Sequence, residues 1–276
     1  MTILRINKIL NNNAVVVTDE NEEKIAIGAG VGFNKGKNDL VNPKKIEKLF
    51  VLSGNEQLQQ LLIRIPEEHF MITEAIIAFA EKYLETKLND HIRIVLADHI
   101  SFAIDREEKG IQLKNKLLPE IKILYKSEYE IGLWAIRYIK EKLKVEMPRD
   151  EAGFIALHIH TAKIQGGDLH ETVRQTNILK NMVDTIKEYL NISIVEDDIA
   201  YERLITHLRF AITRSKHNEL HTMDEDMFEM IKSKFVDSYH CAIEVAKELS
   251  FTHHIHLPES ELGYITLHIE RLRKSN

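Results

Sequence analysis

The sequence predicts a multidomain, mainly α-helical protein: a small antiparallel β-sheet at the N-terminus, followed by two homologous all-α helical bundles. Three observations predict it. Short β-branched runs fill the first 56 residues, apolar residues recur at helical spacing from residue 57 onward, and the helical part repeats itself at a long period. At 276 residues, 44% of them hydrophobic, the chain is long enough for two or three separate cores.

The N-terminal segment reads as a sheet. Its β-branched runs are 3–6, 14–18, 24–27 and 46–52, and the breaks between them are Asn-rich (11–13), acidic (19–23) and glycine-bearing (28–36). This spacing predicts about four antiparallel strands. A sheet of roughly 50 residues is near the limit of independent stability, so we expect it to self-associate.

The rest of the chain reads as helices. Helical periodicity covers residues 72–84, 133–143, 151–163, 178–190, 201–214, 227–249 and 259–273. In the first of these, one face carries Ile72, Ile76, Phe79, Tyr83 and Leu84. Pro148 stands just ahead of the third segment, where a helix tolerates proline. The stretch QGGDLH at 165–170 breaks the pattern and separates two copies.

The two copies are visible as internal repeats. Residues 151–162, EAGFIALHIHTA, recur in similar form as residues 261–272, ELGYITLHIERL, at an offset of 110. Residues 98–104, DHISFAI, are answered by 206–212, THLRFAI, at an offset of 108. Each copy therefore has a histidine near its start and another near its end, namely His99 with His158 and His207 with His268. We expect the two copies to share one fold and each pair to lie close together.

Composition excludes several classes of protein. There is no run of some 18 apolar residues, so no membrane insertion is expected, and the N-terminus lacks the features of a secretory signal. A single cysteine, Cys241, permits no internal disulfide, and a cytoplasmic protein is expected. The net charge of −6 argues against coating nucleic acid by bulk electrostatics but leaves a local site open.

Two patterns carry candidate chemistry, and the first is the turn 11–13 with the loop 28–35. Asparagine amides can bond base edges, glycines let backbone approach, and Phe33 can stack on a base while Lys8, Lys35 and Lys37 meet phosphates. Turns use the same residues for their own geometry, and Phe33 as a core residue is the alternative. The loop does not match the GxxxxGK[ST] phosphate cradle.

The second pattern is the four repeated histidines. They are packed core residues, metal ligands or phosphoryl acceptors. His160 and residues 253–256 add imidazoles nearby, but His160 is matched by Glu270 in the other copy and no HExxH or CxxC motif is present. An imidazole nitrogen is a good nucleophile at neutral pH, and phosphorylation would add about two negative charges at an interface.

These residues resemble the BglG/SacY family of bacterial transcription antiterminators. Residues 11–13 with 28–39 resemble its co-antiterminator RNA-binding domain. Residues 98–99 with 151–158 resemble its first phosphotransferase-system (PTS) regulation domain, and His207 with 267–269 resembles the second. Residues 130–134 and 201–211 are most similar to sucrose-operon members.

The resemblance implies domains at 1–56, 67–170 and 171–276, and a homodimer that binds a leader messenger RNA hairpin so that an overlapping terminator cannot form. It implies no enzymatic activity and no cofactor. The positions that fall where the family contacts RNA are Lys8, Asn11, Asn13, Gly28, Ala29 and Phe33, and Lys35 joins them from the charge argument. Ala29 departs from members that have arginine there.

The resemblance also implies phosphorylation of His99, His158, His207 and His268 by the sugar phosphotransferase system. The sugar-specific permease would repress through the first regulation domain, and the phosphocarrier protein HPr would activate through the second. Asp98 would support His99 by accepting a hydrogen bond from its imidazole. Two other functions stand beside this one: a metal-dependent hydrolase, and a sugar-responsive scaffold without RNA binding.

Overall fold

The computed structural model describes residues 4–19, 22–51, 64–164, 166–193, 198–217 and 223–275. Within these ranges a small antiparallel sheet precedes ten α-helices, which confirms the predicted fold class. The chain forms two compact units: Met1–Lys114 with Glu130–Gly167, and Asn115–Tyr129 with Asp168–Asn276. No helix in the described ranges is long and apolar enough to cross a bilayer.

The sheet has four strands in the order β1-β2-β3-β4, as predicted. Their bounds are Arg5–Asn11, Ala14–Asp19, Glu22–Ile27 and Lys48–Val51. The first strand extends to Asn11, well beyond the predicted end at residue 6, because its ladder with β2 continues through two register shifts. Residues 3 and 52, which the prediction included, lie outside the described ranges. A short 3-10 helix, Pro43–Lys45, leads into β4.

The helices cover all seven segments with helical periodicity. Their bounds are α1 Glu67–Leu84, α2 Ile92–Glu108, α3 Leu118–Leu124, α4 Lys126–Leu143, α5 Arg149–Lys163, α6 Leu169–Leu190, α7 Ile199–His217, α8 Glu225–Lys234, α9 Val236–His253 and α10 Glu259–Ser275. The predicted single helix 227–249 is wrong, because the chain leaves helical geometry at Phe235 (φ −121°, ψ 52°) and forms α8 and α9.

Unit 1 packs its sheet between two cores. Val15 and Val17 of β2 face a cluster with Leu4, Ile6, Ala26, Val31 and Val41. Ala14 and Val16 face the opposite side, where the cluster also contains Phe70 of α1 and Ala97 of α2. The sheet therefore rests on the first two helices of its own unit, and Ala97 lies only two residues before His99.

Each unit also has a helical core. In unit 1 the core draws on α1, α2, α4 and α5, and the Phe79 ring stacks on Trp134 with centroids 4.0 Å apart. Ile72 and Ile76 are buried, whereas Tyr83, which the periodicity placed on the same face, is 51% exposed at the helix end. In unit 2 the core draws on α6, α7, α9 and α10, with Ile123 and Leu124 of α3 packed against it.

Candidate functional site

The asparagine turn and the glycine loop form one hydrogen-bonded element. The Asn13 side chain is 2% exposed, and its Oδ1 accepts a bond from Gly30 N at 2.6 Å. Gly28 N donates to Asn13 O at 3.0 Å, and Gly32 N donates to Asn12 O at 2.8 Å. The two stretches that the sequence paired are thus in direct contact.

Three glycines make this contact sterically possible. A Cβ on Gly28 would lie 1.8 Å from the backbone oxygen of Lys45, and one on Gly32 would lie 2.6 Å from Asn11 O. Gly30 has φ +65°, in the left-handed region that glycine tolerates without strain. Lys45, which the sequence did not single out, closes the loop by donating from Nζ to Gly30 O at 3.2 Å.

The predicted RNA contacts divide into an exposed group and a framework group. Phe33 is 56% exposed, so the alternative of a core phenylalanine is wrong. Lys8, Ala29 and Lys35 are exposed as well. Gly28 and Asn13 are buried and shape the loop, while half-buried Asn11 accepts a bond from Asn13 N at 2.8 Å.

The same turn is bonded to the helical part of unit 1. Asn12 Nδ2 donates to Glu67 Oε2 at 2.6 Å, at the first residue of α1. Together with the packing of Phe70 and Ala97 against the sheet, this bond fixes the turn relative to α1 and α2. The candidate nucleic-acid surface and the helix that carries His99 therefore share one packed body.

The first histidine pair lies between α2 and α5. The rings of His99 and His158 have centroids 5.0 Å apart. Behind them, the fully buried Glu151 carboxylate accepts a bond from Arg106 Nη2 at 2.5 Å. His99 Nε2 lies 3.1 Å from Glu151 Oε2 without the alignment of a hydrogen bond. Asp98 is exposed, and its supporting role stays a prediction.

The second pair, between α7 and α10, repeats this geometry. His207 and His268 have ring centroids 4.5 Å apart. The guanidinium of Arg214 bonds both oxygens of Glu261, at 2.6 and 2.8 Å, and His207 Nε2 lies 3.6 Å from Glu261 Oε2. The prediction that both pairs lie close together is confirmed.

The glutamate–arginine partners were missed, although the sequence contains their signal. Arginine stands seven residues after the first histidine of each pair, as Arg106 and Arg214, and glutamate stands seven before the second, as Glu151 and Glu261. These residues repeat with the histidines at the same offsets. A repeat of charged residues at positions that a core would otherwise fill indicates a buried ion pair.

The environment sets the charges of the site. Burial lowers the pKa of His158 to about 3, with His99 adding to the effect. Burial, His207, Arg271 and Arg203 lower the pKa of His268 to about 4. For Glu261, burial alone would raise the pKa, but His207 and Arg214 outweigh it and hold the pKa at about 2. At neutral pH the second histidine of each pair is therefore uncharged, with a free lone pair for nucleophilic attack.

A metal site is not supported by the geometry. Across the described ranges, no cluster of three or more His, Cys, Asp or Glu side chains is arranged to hold a metal ion. The second histidine pair instead opens into a groove of about 340 Å³, lined by Glu202, Arg203, Thr206, His207, Phe210 and His268. A neutral imidazole beside an open groove, as at His268, is suited to accept a phosphoryl group from another molecule.

Comparison with known families decides the identity. The model of the PRD domain matches residues 74–162 and again 180–272, and the model of the CAT RNA-binding domain matches residues 4–59. The chain belongs to the BglG family of transcription antiterminators. The resemblance seen in the sequence is thus confirmed, and the hydrolase alternative is wrong because the family consists of antiterminators rather than enzymes.

Relatives of the antiterminator match it over its full length. A beta-glucoside operon antiterminator of Dickeya chrysanthemi is 38% identical, and the alignment covers 98% of this chain and 97% of that relative. The transcription antiterminator LicT of Bacillus subtilis is 36% identical, with coverages of 98% and 99%. A crystal structure of GlcT CAT-PRDI is 36% identical, with a TM-score of 0.52, and covers 59% of this chain and 99% of its own. Neither relative is named for sucrose, so the closer similarity to sucrose-operon members is not confirmed.

Proposed function

We propose that the antiterminator binds, as a homodimer, a hairpin in the leader messenger RNA of a sugar-utilisation operon and thereby prevents an overlapping terminator from forming. Residues 1–56 would bind the RNA, and residues 67–170 and 171–276 would be the two regulation domains. The observation that carries the proposal is the glycine loop with exposed Phe33, which lies inside the segment that matches the CAT RNA-binding domain.

The exposed and buried residues of that segment would have different roles. Phe33 would stack on an unpaired base, and Lys8 and Lys35 would meet phosphates. Asn11 would bond a base edge, and the backbone at Ala29 would approach the RNA closely. Asn13 and Gly28 would act indirectly by holding the loop, since both are buried in it.

Control would come through histidine phosphorylation by the sugar phosphotransferase system. The sugar-specific permease would act through His99 and His158, and the phosphocarrier HPr through His207 and His268. Two paired, partly buried histidines in each PRD domain support this proposal, because a phosphoryl group there adds charge where the protein is packed. The contact of the sheet with α1 and α2 gives the first pair a route to the RNA-binding loop.

The RNA assignment is tested by mobility shift with the full-length protein and its own leader hairpin. We expect Phe33→Ala to weaken binding by about 1–3 kcal/mol, the usual worth of one base–aromatic stack. The thermal unfolding temperature should stay unchanged, because the ring is already 56% exposed. Binding by the wild type should also weaken as salt rises.

Phe251→Ala is the matched control, because this phenylalanine is 85% exposed but lies in the second unit. It should bind the hairpin like the wild type. Equal binding by the Phe33 and wild-type proteins would contradict the assigned contact. No discrimination between the hairpin and a scrambled RNA would favour the scaffold without RNA binding.

A further inference from the structure

The two histidine pairs share their buried glutamate and arginine but differ on the side that faces solvent. Arg203 stands four residues before His207 on α7 and lines the groove with both histidines. Arg271 stands three residues after His268 on α10. In the first copy the matching positions are Val95 and Thr161.

Two further positions near the histidine pairs also differ between the copies. Thr206, beside His207, is matched by Asp98 beside His99. Glu202, which also lines the groove, is matched by Ile94. Over these four positions the second copy has two arginines and one glutamate, for a charge of +1, and the first has one aspartate, for −1. The two sites are thus built alike but have surroundings of opposite charge.

Arg203 and Arg271 are free to bind an anion. Both are exposed, and among the ion pairs of the described residues neither takes part, whereas Arg214 and Arg273 are bound to Glu261 and Glu270. Their charge reaches the second pair, since both lower the pKa of His268 after burial and His207. At His158 the pKa is lowered by burial and His99 alone.

One ring nitrogen of His268 is the available nucleophile. Its Nδ1 is buried and has no hydrogen-bond partner among the described residues, whereas Nε2 is not a buried atom without a partner. In the neutral ring a proton on Nδ1 leaves the lone pair on Nε2. His207 Nε2, by contrast, is buried toward Glu261.

We propose that Arg203 and Arg271 form a phosphoryl-binding site over the second histidine pair, which holds the phosphoryl group transferred to Nε2 of His268, and that the first pair has no such site. This inference rests on the proposed histidine phosphorylation. It makes the two arginines the reason why the second PRD domain would stay phosphorylated longer than the first.

A phosphoramidate, which contains a phosphorus–nitrogen bond, can supply the phosphoryl group. The lone pair on His268 Nε2 attacks phosphorus, and the P–N bond of the donor breaks with its electron pair remaining on the leaving nitrogen. That nitrogen, which is protonated in the donor, departs as ammonia. The ring first formed is an imidazolium, and its Nδ1 proton passes through solvent to the ammonia, so that the phosphorylated ring is neutral and the leaving group becomes ammonium. The new phosphoryl oxygens then accept bonds from the two guanidinium forks, which match phosphate geometry. In the first copy the matching positions are Val95, Asp98 and Thr161, and none of these three is a cation.

The test treats the full-length protein with potassium phosphoramidate, which needs no phosphotransferase protein, and follows each phosphohistidine by mass spectrometry as it hydrolyses. In the wild type we expect phosphorylated His268 to outlive phosphorylated His158. Exchanging the second copy toward the first, by Arg203→Val with Arg271→Thr, should shorten the His268 half-life roughly tenfold, the scale of one charge-assisted bond. The reverse exchange, Val95→Arg with Thr161→Arg, should lengthen that of His158.

Arg209→Val is the matched control, because Arg209 is exposed on α7 but packs over the Phe210 ring, and it is not among the charges that lower the pKa of His268. It should leave the half-life unchanged. An unchanged half-life in the double exchange, an equal effect of Arg209→Val, or a phosphorus–nitrogen NMR signature of Nδ1 attachment would each overturn the inference. Failure of phosphotransferase proteins to modify a chain that phosphoramidate does modify would count against the proposed function alone.

Discussion

Replacing Arg214 by methionine is expected to destabilise the second helical unit by about 3–5 kcal/mol, because it leaves a buried charge without its partner. The Glu261 side chain is 1% exposed and accepts both of its strong bonds from this guanidinium. Methionine keeps most of the apolar stem but supplies no donor. Urea unfolding followed by circular dichroism measures the loss. Arg106→Met should act similarly on the first unit, where Glu151 is also buried.

The control for this prediction is the double variant Arg214→Met with Glu261→Met. Removing the carboxylate as well removes the unpaired charge, so most of the lost stability should return. A double variant as unstable as the single one would show that Arg214 stabilises the unit by packing alone. A single variant within 1 kcal/mol of the wild type would show that water reaches the carboxylate.

Replacing Gly28 by alanine is expected to weaken hairpin binding about a hundredfold, as when two base contacts worth 1–3 kcal/mol each are lost. The added Cβ would lie 1.8 Å from the Lys45 backbone oxygen, so the loop must move away from the position that Asn13 fixes. The β1–β2–β3 ladders do not include this residue and should survive. Mobility shift and circular dichroism on the full-length protein measure the two effects.

Gly36→Ala is the control for this loop. Its Cβ would meet only Asp39 Oδ2, at an ordinary 3.8 Å, so neither folding nor binding should change. Hairpin binding by Gly28→Ala at the level of Gly36→Ala would mean that the loop conformation does not matter for RNA recognition.

The sequence was sufficient for most of the fold because the two periodicities are strong. It failed where local rules compete with packing. The break at Phe235 is not marked by glycine or proline, so the apolar pattern of 227–249 runs through it. Helix α2 was missed because its buried residues lie around much of its circumference, from Ile92 and Arg93 to Ile94, and leave no clear stripe.

The histidines of the candidate site could be predicted from the sequence, but the buried glutamate and arginine beside each pair were not predicted. The repeat placed both pairs, since duplicated positions fold alike. It did not distinguish side chains that meet a ligand from side chains that shape a loop, so buried Asn13 and exposed Phe33 were predicted in one role. The hydrogen bond from Asn12 to Glu67 joins residues that are 55 positions apart, and neither residue type by itself predicts a partner at that distance along the chain.

The most direct test of the account is the fraction of transcripts that pass the leader terminator in a reporter strain expressing this protein. With wild-type protein under inducing conditions, readthrough should rise, and disrupting the hairpin should abolish the rise. His99→Asp, which places a negative charge at the first pair, should hold readthrough at the terminated level. His207→Asp or His268→Asp should preserve or raise it. Readthrough that ignores both the hairpin and all three substitutions would contradict an RNA-binding antiterminator controlled through its histidine pairs.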